Sequence, residues 1–212
     1  MPGLDYDETT EDRAERIREY LGIGDDTQPD ALVLIERMLN RRTITEYRIV
    51  EDETLQGAKA LFDAERRAII VTQSTSQGAM AGETNHMYPY FHEAAHAFLG
   101  HDHQRFFKGK VQFGRQTEQD EGDAHALALA VMAPYSRASL TENTKAEEIA
   151  IRFNLTDAHA FERHMVLMRM YRKRYGLARQ LPEVQQFYNP LALNDPLEHE
   201  FSDAMVGWAK PR

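Results

Sequence analysis

The chain has 212 residues, of which 42% are hydrophobic and 28% are charged, and its formal net charge is −9. This length and composition are typical of one globular domain of ordinary size, and the negative charge argues against the whole molecule being a nucleic-acid binder. The chain contains no cysteine, which excludes disulfides and thiolate metal ligands and gives no sign of an oxidising compartment.

The N-terminal residues and the apolar stretches bear on location. Residues 1–12 carry five acids and no base, which is the opposite of a secretory or organellar targeting segment. The longest nearly apolar stretch, residues 124–135, is too short to span a bilayer. These features predict a cytoplasmic protein with no membrane partner.

The first half of the chain mixes helical and strand patterns. Thr9 or Thr10 is expected to cap a short helix, whose inner face carries Ala14, Ile17 and Leu21. Asp30 is the expected N-cap of a second helix, whose apolar side carries Ala31, Leu34, Ile35 and Met38.

Residues 43–72 have strand character. β-Branched and aromatic residues predict a strand over 43–50. Residues 60–62 and 68–72 read as the two arms of a β-hairpin. The polar, glycine-containing stretch that follows, residues 74–84, predicts a loop.

The second half is helical in pattern. Residues 90–99 predict a helix that ends at Gly100, and residues 117–132 predict another that stops at Pro134. Thr144 and Glu147 have the spacing of a capping box for a helix through Phe153.

A tight turn at residues 154–157 then leads to the longest predicted helix, residues 158–175. Its expected core-facing stripe is Ala158, Phe161, Met165 and Met168. The Pro- and Asn-rich tail from Leu181 is expected to pack irregularly.

These patterns predict a helix-dominant α+β fold. We expect an acidic N-terminal segment with a short helix over residues 1–29 and a core over residues 30–136. A helical C-terminal region with an irregular tail, residues 137–212, is expected to pack on this core as part of one domain.

The sequence His92-Glu93-Ala94-Ala95-His96 is the strongest functional motif. Histidines four residues apart lie on one face of a helix and can bind one ion, while Glu93 can reach a water molecule on that ion. The surrounding helix is small and apolar, and buried polar side chains are costly unless they are paired or coordinated. The alternative interpretation is a pair of core histidines with ordinary hydrogen bonds.

A catalytic zinc site needs a third protein ligand. His101 and His103 follow the motif, but the spacing HExxHxxGxxH would need Gly at position 99 and His at position 102, where the chain has Leu99 and Asp102.

The next helix offers a carboxylate instead. Glu121 begins an inward-facing stripe and is the preferred ligand, and Glu118 is the runner-up one turn earlier. Asp123 and His125 are candidates for contacts behind the ligands or for additional ligands. The alternative is an acidic helix N-terminus that is simply solvated and favoured by the helix dipole.

Two blocks of this sequence resemble the ImmA/IrrE-type metallopeptidases. The first is residues 91–99, FHEAAHAFL. The second is residues 121–134, for which the typical family pattern is E-x-E-A-N-x-F-A-x-x-L-L-M-P. Counting back from Pro134 places the family's glutamate ligand on Glu121 and its asparagine on His125. Residues 150–156, AIRFNLT, are similar to the family's A-x-x-F-x-V-S. The chain departs from the pattern at Asp123, His125 and Ala133, and in the lead-in before the first histidine, residues 87–91.

The resemblance implies a zincin-like core with a small antiparallel sheet and a C-terminal helical extension. It also implies one zinc ion per chain on His92, His96 and Glu121, with Glu93 as the general base of an endopeptidase. Family members typically cut helix-turn-helix repressors to release stress or mobile-element genes. In zincin-like sites an extended peptide commonly pairs with a strand edge, for which residues 68–72 are the candidate.

Two other functions are compatible with the sequence. Residues 144–175 have helix-turn-helix proportions. They overlap a basic run, residues 162–179, which contains six bases and one acid. A DNA-binding regulator could use them, although a solvated helix face explains the charges more simply. The other alternative is a catalytically inactive, metal-sensing zincin-like module, against which the intact Glu93 argues.

Overall fold

The computed structural model describes residues 6–24, 30–101, 104–107, 110–113 and 118–177. Its helices are α1 (Tyr6–Leu21), α2 (Ala31–Asn40), α3 (Gln73–Met80), α4 (Thr84–Leu99), α5 (Glu118–Met132), α6 (Ala146–Phe153) and α7 (Asp157–Arg174). Its strands are β1 (Glu46–Val50), β2 (Ala60–Asp63), β3 (Ala68–Thr72), β4 (Gln104–Phe107) and β5 (Lys110–Phe113). The predicted helix-dominant α+β class is confirmed, and the predicted tail from Leu181 lies outside the described residues.

The chain divides into two compact units between Met170 and Tyr171, inside α7. All elements from α1 to α6 belong to the first unit. None of the described helices has the length and apolarity needed to cross a membrane.

Strands β1 to β3 form a small mixed sheet in the order β1-β3-β2. The predicted hairpin is confirmed, because β2 pairs antiparallel with β3 and places Phe62 opposite Ile69. Strand β1 pairs parallel with β3, so the sheet is not purely antiparallel as expected. Strands β4 and β5 form a separate antiparallel pair that the sequence patterns do not predict, since each strand has only four residues.

The prediction that residues 68–72 form a docking edge is wrong. Strand β3 lies between β1 and β2, and all five of its residues are buried. An unbroken apolar run of this kind is typical of a strand with neighbours on both sides. The edges of the sheet are β1 and β2.

The segment predicted as a loop, residues 74–84, is largely helical. Helix α3 begins after Thr72, whose side chain accepts a hydrogen bond from the Thr75 N–H. Four of its residues are buried although they are small or polar, and they are Thr75, Ser76, Gly78 and Ala79. Tertiary packing therefore makes a helix from residues with weak helical propensity.

Helix α4 begins earlier than predicted and contains Pro89. A proline inside a helix leaves the carbonyl four residues earlier without its usual donor. Here the Lys59 ammonium donates to that carbonyl, on Asn85, at 3.3 Å. The helix ends at Gly100, whose φ of 73° is left-handed, as predicted.

Two buried arginines hold the C-terminal end of α5. Arg18 of α1 donates to the Val131 carbonyl at 2.7 Å, and Arg163 of α7 donates to the Ala133 carbonyl at 2.8 Å. Arg163 also forms a buried ion pair with Glu11. The terminal carbonyls of a helix need such donors, and these contacts fix α5 relative to α1 and α7.

The other helix predictions need smaller corrections. Helix α1 begins at Tyr6, before the proposed Thr caps, whereas its predicted inner face is buried. The predicted Asp30 cap of α2 is confirmed, since its carboxylate accepts from the Leu32 and Val33 N–H groups. At α6 the capping pair is shifted by one residue, because Glu148 accepts from the Lys145 N–H.

The predicted core stripe of α7 is mostly wrong. Met168 is buried, but Phe161 is 60% exposed and Met165 is 44% exposed, and Ala158 is also exposed. The buried face contains Ala160, Arg163, Leu167 and Met168. The bonds of Arg163 set this rotation of the helix, so one base of the predicted solvated face is buried and paired.

Candidate metal centre

Helices α4 and α5 bring His92, His96 and Glu121 together. The Nε2 atoms of the two histidines are 3.1 Å apart. Glu121 Oε2 lies 3.1 Å from His92 Nε2, and Glu121 Oε1 lies 3.2 Å from His96 Nε2. Among the described residues these three form a group that could hold a metal ion.

The spacing of the three donors fits a small divalent ion. Zinc binds nitrogen and oxygen at about 2.0–2.1 Å in tetrahedral geometry, which puts neighbouring ligand atoms roughly 3.3 Å apart. Glu121 Oε1 is buried and makes no hydrogen bond of acceptable geometry with any described residue, although His96 Nε2 is close to it. A buried carboxylate oxygen without a donor is costly in a metal-free site and is satisfied when it binds a cation.

Outer contacts turn both histidine rings toward this centre. The Tyr88 hydroxyl is 3.0 Å from His92 Nδ1, and His101 Nδ1 is 2.9 Å from His96 Nδ1. With both Nδ1 atoms engaged, both Nε2 atoms face Glu121. Hydrogen bonds of this kind fix the ring orientation and tautomer of metal-binding histidines.

The outer contacts of His92 continue as a chain toward α7, which we call the Tyr88 relay. It contains Tyr88, His125 and Glu162. The Tyr88 hydroxyl lies 2.6 Å from His125 Nδ1, and His125 Nε2 lies 2.5 Å from Glu162 Oε2. The relay therefore links three helices behind His92, and it places His125 in contact with Tyr88.

Glu93 lies beside the centre and is only 6% exposed. Its Oε2 accepts a hydrogen bond from the Phe62 backbone N–H at 2.7 Å. Burial raises the pKa of Glu93, although the nearby His92 and His96 act in the opposite direction. A carboxylate whose proton affinity is raised is suited to accept a proton.

The charges of the three grouped residues reinforce one another. The neighbouring imidazoles of His92 and His96 hold the pKa of Glu121 well below its usual range. Burial acts to lower the pKa of His92, but the hydrogen bond to Glu121 and the charge of Glu93 outweigh it and raise that pKa. The Tyr88 pKa is raised, mainly by burial, so its hydroxyl stays protonated at neutral pH.

An open pocket of about 580 Å³ gives access to the centre. Its lining includes residues 58–60, which lead into β2, together with His92 and Glu93. Thr156 and His159 also line it. The pocket thus runs between a sheet edge and the N-terminal end of α7.

The remaining predicted residues lie outside the grouped donors. Glu118 is exposed at the first position of α5, and Asp123 is half-buried on the same helix. His101 contacts the outer side of His96, and His103 is outside the described residues.

Sequence reasoning missed Tyr88 and Glu162. Tyr88 precedes His92 by four residues, so the helical spacing itself could have identified it. Glu162 lies on α7, which begins more than thirty residues after the first turn of α5. No local pattern connects it with the motif.

Comparison with known proteins gives no match to this chain among protein-family models, curated proteins or solved structures.

Proposed function

We propose that this protein is a zinc-dependent endopeptidase of the ImmA/IrrE type, with a zincin-like core. The observation that carries the proposal is the convergence of His92, His96 and Glu121 within 3.2 Å beside a buried Glu93. Two imidazoles and one carboxylate correspond to the protein ligands of a catalytic zinc site, and the open pocket corresponds to its free fourth position.

Each residue has a separate role in this proposal. His92, His96 and Glu121 hold the ion, which when bound would polarise a substrate carbonyl and acidify water. Glu93 accepts a proton from a water molecule while the oxygen of that water bonds to the carbonyl carbon of the substrate. The same proton then passes to the leaving nitrogen as the C–N bond breaks.

The outer edge of β2 is the proposed docking site for an extended peptide. Residues 58–60 line the pocket, and the Phe62 N–H points to Glu93 and not to β3. A peptide that adds to this edge would run past Glu93 and the metal ligands. The substrate class, a helix-turn-helix repressor, is supported by the family resemblance alone.

The two alternative functions receive less support. The exposed residues in the first two turns of α7 include Asp157, Phe161 and Glu162, whereas a DNA-reading helix uses basic and amide side chains there. Glu93 is intact and buried beside the donors, which favours catalysis over metal sensing without chemistry.

The substitution Glu93→Gln tests the proposal. Glutamine keeps an oxygen that can accept from the Phe62 N–H, so the fold and the metal content should be unchanged. Peptide hydrolysis should fall by about a hundred- to ten-thousand-fold, since a positioned base contributes on that order. The readout is cleavage of a quenched fluorescent peptide library, with metal content measured on the same samples. Full turnover by Glu93→Gln, or by the wild type after chelation, would contradict the proposal.

A further inference from the structure

A second concave site lies away from the metal centre and is lined by four arginines. This arginine groove is formed by Arg13 and Arg16 of α1, Arg42 after α2, Arg67 between β2 and β3, and the rings of Tyr20 and Phe98. It has a volume of about 580 Å³ and is open to solvent. That is within the size range of small-molecule sites.

The four arginines of the groove are exposed residues. Among the described residues, none of them forms an ion pair with a carboxylate. Like charges that line one groove repel one another, and a bound anion reduces that repulsion.

Two of the arginines occupy rare backbone conformations. Arg42 has φ of 58° and Arg67 has φ of 51°, which few residues other than glycine adopt. Gln56, Ser139 and Asn154 share this conformation outside the groove. It therefore reflects the turns after α2 and between β2 and β3 that carry Arg42 and Arg67.

The two loops that carry Arg42 and Arg67 are bonded to each other. The Arg67 guanidinium donates to the Thr43 carbonyl at 2.8 Å and also to the Arg42 carbonyl. The Thr45 N–H donates back to the Arg67 carbonyl at 2.8 Å. The Arg67 side chain and the two loops are therefore held in place in advance of any ligand, which lowers the cost of ordering them on binding.

The groove also has an aromatic side. Tyr20 and Phe98 meet edge to face, with ring centroids 6.5 Å apart, and Arg41 lies over the Tyr20 ring. Ile17 completes this apolar surface. A guanidinium group can donate two parallel hydrogen bonds to the oxygens of a phosphate. Aromatic side chains pack against a planar ring by offset stacking or edge to face.

We propose that the arginine groove binds a nucleotide-type ligand, an aromatic base that carries two or three phosphates. The phosphates would lie among Arg13, Arg42 and Arg67, and the base would lie against Tyr20 and Phe98. None of these residues belongs to the metal centre, so this proposal is independent of the proposed peptidase activity.

Calorimetric titration of the full chain with adenosine triphosphate tests this site. At about 0.15 M salt, we expect saturable binding with one site per chain, in both the zinc-loaded and the chelator-treated protein. Inorganic tripolyphosphate should bind more weakly, and adenosine should show no binding. Because a charged hydrogen bond is lost, Arg13→Gln and Arg42→Gln should each weaken binding about tenfold or more.

Arg48→Gln is the matched control, since Arg48 lies on β1 outside the groove and pairs with Glu46. It should bind adenosine triphosphate as the wild type does. The proposal is overturned if no saturable binding occurs, if Arg48→Gln loses as much affinity as the groove variants, or if chelation abolishes binding. Tighter binding of a single-stranded oligonucleotide, with affinity that grows with its length, would also overturn it in favour of a nucleic-acid surface.

Discussion

The Phe62 backbone N–H donates a hydrogen bond to Oε2 of Glu93, with a nitrogen-to-oxygen distance of 2.7 Å. The donor is part of β2, so the sheet edge itself orients the proposed base. Because the contact comes from the backbone, the identity of the side chain at position 62 does not decide it. The proposed base and the proposed docking strand therefore keep a fixed relationship.

The Tyr88 relay should control metal affinity without binding the metal itself. Tyr88→Phe removes the hydroxyl that lies between His92 and His125. The aromatic ring can keep its packing on His159, with ring centroids 4.0 Å apart. Zinc affinity should fall about ten- to a hundredfold, as is typical for groups behind a metal ligand. A competition titration against a coloured chelator measures this.

Tyr47→Phe is the control for Tyr88→Phe. It removes another partly buried tyrosine hydroxyl, which is 2.9 Å from the Tyr90 hydroxyl, and should leave zinc affinity unchanged. Equal zinc affinities for wild type and Tyr88→Phe would show that the relay does not act on the metal site.

The metal-free protein should be stabilised by the His92–Glu121 pair in a limited pH range. The lowered pKa of Glu121 adds stability above the ordinary carboxyl value of 4.5, and this contribution is lost on acidification. The raised pKa of His92 adds stability at low pH, and this stability is lost as the pH rises through the pKa of His92 in the folded protein. The pair therefore contributes most between these limits.

Zinc should change this pH dependence. Zinc binds the deprotonated histidine, so protons compete with it more strongly when the His92 pKa is raised. The increase in melting temperature on adding zinc should grow from pH 5 to pH 8. A zinc-induced increase that is constant or falls over this range would contradict the assignment of His92 as a ligand.

The close approach of α3 to α4 makes Gly78 sensitive to substitution. A Cβ at this position would lie 2.4 Å from Cγ of His86, an atom near the base of its side chain. Gly78→Ala should lower the free energy of unfolding by about 1–3 kcal/mol, the usual cost of overpacking. Denaturant unfolding of the metal-free protein measures it.

Gly122 provides the comparison, because a Cβ there would have no heavy atom of another described residue within 4 Å. Gly122→Ala in α5 should be neutral or stabilise the protein by about 0.5–1 kcal/mol, since alanine is the better helix former. If both variants lose the same stability, the contact between Gly78 and His86 does not limit packing.

Local patterns predicted the elements that depend on local chemistry. The spacing of His92 and His96, the Asp30 cap and the hairpin of β2 and β3 can each be read within about ten residues. The structure brings Glu121 to the same centre, where the inward stripe of α5 had indicated it. These features follow from helical and strand periodicity and from local capping and turn chemistry.

The errors arise where tertiary contacts override local preference. Helix α3 forms because its small residues let it approach α4 at Gly78. The rotation of α7 follows the long-range bonds of Arg163 to Ala133 and Glu11, so Phe161 and Met165 face outward. No local pattern specifies these partners, which lie thirty or more residues away in sequence.

The most direct test is the metal content of the full chain, purified without added metal and measured by mass spectrometry. The wild type and Glu118→Ala should each contain about one zinc ion per chain, whereas His96→Ala and Glu121→Ala should contain almost none. Zinc retained by Glu121→Ala and lost by Glu118→Ala would show that the third ligand is wrongly assigned. A wild-type protein that is folded, active and free of metal would contradict the account as a whole.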